Sequence, residues 1–311
     1  MKRTFSILAV VFSLAISGFA APISNAARTV IPAEVQQLIV VDYRSLNNYP
    51  TALALKDKLL PPALKEFESA LRGAGIKPES DVEQLVFAAF RVKDGMRVLG
   101  IAQGEFPGQK IMLRLKKQQV KPQTYKTAKI YPMGAGGMSM TLLDASTMVF
   151  GENSVVKIAL DSRENSANSL NANSIMLDLM QGVETETVWS VLDKAGTNTM
   201  LKSVLGDAAE LADYETIRKR LTGSRYKMNF NKGVGFDLDV ITSDSITAAM
   251  LSSVLRAGVM FRKATANDSE KMALESVNVR SESKDLLVQF RSDDSKFQSL
   301  LNSDLFAAIS K

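Results

Sequence analysis

The chain has 311 residues, of which 38 are Lys or Arg and 33 Asp or Glu, with 46% hydrophobic content and neither cysteine nor histidine. Without Cys there is no disulfide, thiolate nucleophile or thiolate metal site. Without His, imidazole-dependent triads and the commonest zinc, copper or nickel ligand are excluded, which leaves carboxylate-pair hydrolysis, Ser–Lys chemistry or oxygen-ligand Ca²⁺ or Mg²⁺ binding.

Lys2 and Arg3 precede an apolar stretch over residues 5–21, broken only by Ser6, Ser13, Ser17 and Gly18. Pro22 follows, and Ser24 and Ala26 satisfy the small-residue rule of a secretory cleavage site. The pattern predicts a signal peptide over residues 1–26, cut between Ala26 and Ala27, and a periplasmic or secreted protein. With no Cys to acylate, the expected product is not a lipoprotein, and no later stretch is long enough without charge to span a membrane.

Residues 38–41 read as a buried strand, and Leu53, Leu59, Leu60, Ala63, Leu64, Phe67 and Leu71 recur at helical spacing. Pro61-Pro62 breaks that pattern into two helices, and Gly73 and Gly75 end the second. Strands over 85–92 and 96–103 flank Lys93-Asp94-Gly95, a three-residue loop that would pair Phe90 with Val98 and set Arg91 against Arg97. A helix near 108–118, strands over 124–131, 138–143 and 147–150, and a helix over 154–160 complete a first unit, residues 27–161. Residues 162–174 (SRENSANSLNANS) read as an Asn/Ser-rich linker or exposed loop.

The second unit, residues 175–311, repeats the order. Strands are expected over 187–192, 225–230, 234–242, 276–282 and 286–291, with helices over 199–221, 245–261 and 297–309. In the helix at 245–261, Ile246, Met250, Val254, Ala257 and Phe261 fall on one face. Tyr226, Met228 and Phe230 alternate with polar residues, as do Val234, Phe236, Leu238 and Val240. A loop of Asn231-Lys232-Gly233 would pair Met228 with Phe236 and Tyr226 with Leu238, setting Lys227 against Asp237 and Arg225 against Asp239. The fold class expected is α+β: two tandem ferredoxin-like repeats of antiparallel sheet with helices packed on one face.

Between Phe106 and Leu143 there is no acidic residue, while Lys110, Arg114, Lys116, Lys117, Lys121, Lys126 and Lys129 all fall inside. This is the candidate binding site: a basic patch for an anionic envelope polymer or a membrane surface, or else a solvated helix and edge strand. Tyr125 and Tyr131 are too few aromatics for a base-stacking platform, which argues against nucleic acid. Asp237 and Asp239 share a strand face, but cross-strand cations account for them. Gly134-Ala-Gly136-Gly137 lacks the Lys-Ser/Thr of a phosphate loop and reads as a turn. Trp189, the single Trp, sits in an apolar strand and reads as core, as do the scattered methionines.

The stretch from Gly75 to Leu85 (GIKPESDVEQL) is similar to a segment of families of uncharacterised secreted bacterial proteins, and 149–160 (VFGENSVVKIAL) is similar to their strand-to-helix closing segment. The resemblance implies duplicated α+β units behind a signal peptide and carries no activity, cofactor or site residue. The residues together lead to the expectation of an exported, non-catalytic binding or scaffolding protein without catalytic residues, metal or cofactor. The alternatives are a hydrolase using paired carboxylates and a carrier or sensor of a small apolar ligand.

Overall fold

The strand Val35–Asp42 (β1) is the hinge of the architecture, because both of its edges are paired. On one side it pairs with Val82–Val92 (β2), Val40 opposite Val86; on the other it pairs with Val188–Asp193 (β8), Val40 opposite Trp189. The computed structural model describes residues 22–301 except 60–61, 134–136 and 206–213. The apolar stretch over residues 5–21, most of the Gly134–Gly137 stretch and the part of the expected closing helix beyond Leu301 lie outside the described residues.

Beyond β2 the first half continues through Gly95–Gly104 (β3), then Thr147–Glu152 (β7), Met138–Leu142 (β6), Ala128–Met133 (β5) and Gln123–Tyr125 (β4). Beyond β8 the second half runs through Leu221–Asn229 (β9), Val234–Thr242 (β10), Asp285–Ser292 (β12) and Val277–Glu282 (β11). The twelve strands among the described residues form one sheet, and every pairing among them is antiparallel. The α+β class is therefore as expected. The ferredoxin-like order is not: a split βαβ unit sets its first and third strands side by side in parallel, whereas here each half runs as a meander whose last hairpin docks back on its third strand.

Helices fill the connections: Tyr43–Leu46 (α2), Pro50–Leu59 (α3), Pro62–Ala74 (α4) and Pro78–Asp81 (α5) before β2, and Gly108–Lys117 (α6) after β3. Asn153–Glu164 (α7) and Ser174–Met180 (α8) bridge the halves. Lys194–Leu205 (α9), Tyr214–Lys219 (α10), Ser245–Thr265 (α11), Asp268–Glu275 (α12) and Asp294–Leu301 (α13) belong to the second.

The side-chain alternation of the strands assigns these helices to faces. On one face, Val41, Leu85, Ala102 and Met148 form a cross-strand row that continues through Val188, Met228, Phe236 and Phe290. The helices α4 and α6 cover its first-half end with Phe67, Leu71, Ile111 and Leu115; α3 and α13 cover its middle with Leu55 and Phe297. On the opposite face Leu38, Val40, Val86, Ile101, Val149 and Trp189 are buried under α7, α8 and Asn25–Val30 (α1). Beyond β8 that opposite face changes character to Lys227, Asp237 and Gln289, then Arg225 and Asp239. Helices thus pack on both faces of the sheet through the first half and onto β8 and β9, where α8 lies, and on one face beyond, which corrects the expectation of a single helical layer.

The 162–174 segment is mostly exposed but anchored at Ser162, Ser169 and Leu170. Two 3-10 turns, Ser166–Asn168 and Leu170–Ala172, hold Leu170 fully buried; its N–H donates to the Ile31 carbonyl at 2.8 Å, and Asn173 Nδ2 donates to the Ala33 carbonyl at 2.7 Å. At the N-terminal end, Ser24 caps α1 by accepting from the Ala27 N–H, and Ile23, Ala27 and Val30 are buried. The boundary between Ala26 and Ala27 falls within that helix.

Two hairpins repay comparison. Between β9 and β10, Phe236 faces Met228, Leu238 faces Tyr226, Asp237 faces Lys227 and Asp239 faces Arg225, as the alternation predicts. Lys232 and Gly233 both take positive φ in the loop. Between β2 and β3 the loop is one residue shorter than expected: Val92 faces Gly95, Arg91 faces Met96 and Phe90 faces Arg97. This register removes the like-charge Arg91–Arg97 pairing that the longer loop would impose, and Gly95 supplies the turn with φ +120°.

Candidate functional site

The cationic window from Phe106 to Leu143 divides into two neighbourhoods. The first is α6. Its start is fixed by main-chain bonds: Gly104 N–H donates to Ser146 O, Glu105 N–H to Asp81 O and Phe106 N–H to Ala145 O. Ile111 and Leu115, four residues apart, are buried against α4 and the sheet, so helical geometry turns Lys110, Leu113, Lys116 and Lys117 outward. Leu113 is 68% exposed in the midst of those lysines. The helix stops at Gln119, in a left-handed conformation with φ 59°, where Val120 N–H donates to the Leu115 carbonyl. Three cations in the last turn, Arg114, Lys116 and Lys117, oppose the negative end of the helix dipole.

Arg114 has a further duty. Its Nε donates to the Gly73 carbonyl at 2.8 Å, beside Gln118 Nε2 at 3.0 Å, lashing the end of α6 to the end of α4. Gly75 makes room for it: with φ +88°, a Cβ at this position would meet the Arg114 side chain at 3.0 Å. Arg114 is thus a structural clamp at the rim. Lys110, Lys116, Lys117 and Lys121 form no ion pair among the described residues, and all are exposed.

The second neighbourhood is the β4–β5 hairpin on the opposite face of the sheet. Lys126, at its tip with φ 52°, pairs with Asp161 and, at 2.7 Å, with Glu164, both on α7. Those two carboxylates hold the Lys126 ammonium well above its usual range. Tyr125 donates its hydroxyl to Asp161 at 3.0 Å, and Lys157 stands over the Tyr125 ring at 5.4 Å. The bond to Asp161 raises the Tyr125 phenol. Lys126 therefore fastens a hairpin. Lys129 is exposed on β5, on the same face as Tyr131 and Met133, and forms no ion pair among the described residues. Of seven candidate cations, four stand unpaired around α6, one clamps it, and two belong to the hairpin. Sequence distance hid the division, because the acids that neutralise Lys126 lie 35 or more residues away.

Asp237 and Asp239, the carboxylates that share a strand face, are committed elsewhere. Asp237 accepts from Arg291 at 2.6 Å and Gln289 at 3.1 Å; Asp239 accepts from Arg225 at 3.1 Å. Lys227 turns from Asp237 to Glu186, at 2.9 Å. Asp285 keeps a buried oxygen without a hydrogen-bond partner among the described residues, and burial raises its carboxyl, with Asp239 adding to the shift. Among the described residues no group of three or more acidic side chains is arranged to hold a metal, and no helix is long and apolar enough to cross a membrane.

No protein-family model and no curated protein sequence matches the chain. Solved structures of TP0453 do. Crystal form I matches with a TM-score of 0.47 and 9% identity over 91% of this chain and 96% of that one. Crystal form III matches with a TM-score of 0.49 and 8% identity over 90% and 97%.

Proposed function

We propose that this chain is an exported, non-catalytic binding or scaffolding protein that meets an anionic envelope component through the outer face of α6. The observation that carries the reading is the set of four lysines, Lys110, Lys116 and Lys117 on α6 and Lys121 just beyond its end, exposed and without a carboxylate partner among the described residues. Unneutralised like charges on one face raise the local potential, and an array of phosphate or carboxylate groups relieves it. Leu113, exposed among them, adds an apolar contact. The similar strand orders of the two halves, β1-β2-β3-β7-β6 and β8-β9-β10-β12-β11, support an internal duplication in which the first copy acquired the β4–β5 hairpin and its lysines.

The test replaces Lys110, Lys116, Lys117 and Lys121 together by Glu and leaves Arg114 to its clamp. Co-sedimentation with phosphatidylglycerol vesicles and retention on an acidic polysaccharide column separate the two sources of anionic groups. The wild-type protein is expected to bind at least one of them and to release it as salt shortens the screening length; the variant is expected to bind neither. Equal binding by wild type and variant would sink the proposal.

A further inference from the structure

The helix α11 is apolar on the side that faces away from the molecule. Ala248, Leu251 and Ser252 point into the sheet, with Leu255 and Val259 packed alongside. The opposite side carries Ile246, Met250, Met260 and Phe261, exposed to 66%, 37%, 72% and 75%, and the small exposed residues Ala249, Ser253, Ala257 and Ala264. At 100° per residue these eight positions occupy a sector about 120° wide, free of charge over its whole length. Arg256, the cation beside it, is drawn aside by donating its Nε to the Val279 carbonyl at 2.7 Å.

Within that sector Ile246, Met250, Ser253, Ala257, Met260 and Ala264 follow one another at spacings of four, three, four, three and four. That is the 3.5-residue repeat of a two-helix seam rather than the drift of a lone surface helix. The bulky members stand toward the ends and the small ones in the centre. Two copies laid antiparallel fit this pattern: Ser253 meets Ala257, Met250 meets Met260, and Ile246 meets Ala264. A parallel pairing would set Ile246 on Ile246 at one end and Ala264 on Ala264 at the other, whereas the antiparallel one sets large on small at both ends. Closing the sector removes on the order of 1,000 Å² from water, which reaches the lower bound for a specific interface.

We propose that this face of α11 is the contact between two copies of the chain, packed antiparallel about a two-fold axis near Leu255. The full chain is expected to shift from monomer to dimer in sedimentation velocity over roughly a hundredfold range of concentration, since mass action raises the dimer fraction. Met250→Asp and Phe261→Asp are expected to keep it monomeric, whereas Ile175→Asp, an exposed apolar site on α8, leaves the shift unchanged. Because the chain has no cysteine, single thiols report the geometry cleanly. Ser253→Cys mixed with Ala257→Cys is expected to form more disulfide-linked dimer under oxidation than either variant alone. A wild-type protein that stays monomeric throughout overturns the proposal, as does a mixture that cross-links no better than its components. Monomeric protein that floats with phosphatidylglycerol vesicles only while Phe261 is intact overturns it too, and gives the stripe to a lipid surface.

Discussion

A Cβ placed on Gly100 would lie 2.2 Å from the Phe150 ring, and that ring has nowhere to go. It stacks on Phe67 with centroids 3.5 Å apart and meets Phe87 edge-on. Gly100→Ala is therefore expected to lower stability by about 1–3 kcal/mol, the usual cost of overpacking, read as a shift in the urea midpoint. Gly73→Ala is the control, since nothing stands within 4 Å of a Cβ there, and the helical propensity of Ala favours the change. The two glycines are equivalent letters in the sequence. Gly73 lies in the last turn of α4; Gly75 just past it, with φ +88°, was legible as the helix ending because helix stops are local. The berth at Gly100 was not, because it depends on the β3–β7 register and on a phenylalanine fifty residues further along the chain.

At the scale of elements, short-range patterning set the β9–β10 register, where each alternative put apolar side chains opposite charges. It failed at β2–β3, where the residues flanking the turn allowed two loop lengths. It also failed at α11, whose two apolar faces periodicity alone cannot rank; what ranks them is the sheet, and Leu251 rather than Met250 meets it. The start of α9 carries a pH signature of its own. Asp193 accepts from the Gly196 N–H at 2.7 Å, yet burial raises its carboxyl against the bonds from Gly196 and Ala195. An acid raised above its unfolded value of about 3.9 favours the fold fully below that value, and the contribution is lost as pH climbs through the folded pKa. Asp193→Asn keeps an equally good cap acceptor and removes the buried charge. Thermal unfolding should find the variant more stable than wild type at neutral pH, with the gap closing as the solution is acidified below the unfolded value. A gap that persists in acid would assign the effect to packing.

For the molecule as a whole, the α+β class and the similar layout of the halves were legible from the order of patterns. Their fusion into one sheet was not, since nothing near β1 in sequence indicates that its partner lies some 150 residues away. The sheet's ends are guarded by different means: β4 is only three residues long, and β11 is shielded where Arg256 takes the Val279 carbonyl. The packing of Ile23 and the cap from Ser24 bear on export. A chain cut after Ala26 loses both, so, under the proposed export, intact-mass measurement of the mature protein is expected to find an N-terminus at or before Pro22; one at Ala27 would refute this boundary. The double pairing of β1 also sets a condition on synthesis. A nascent first half can complete its own side of the sheet, but its central strand then ends in a bare row of amides and carbonyls until β8 emerges. A ribosome paused between the halves therefore leaves a sticky half-molecule, and truncations near residue 165 should aggregate rather than yield a soluble module. The second half thus works as the first half's edge guard, with β8 covering the free side of β1.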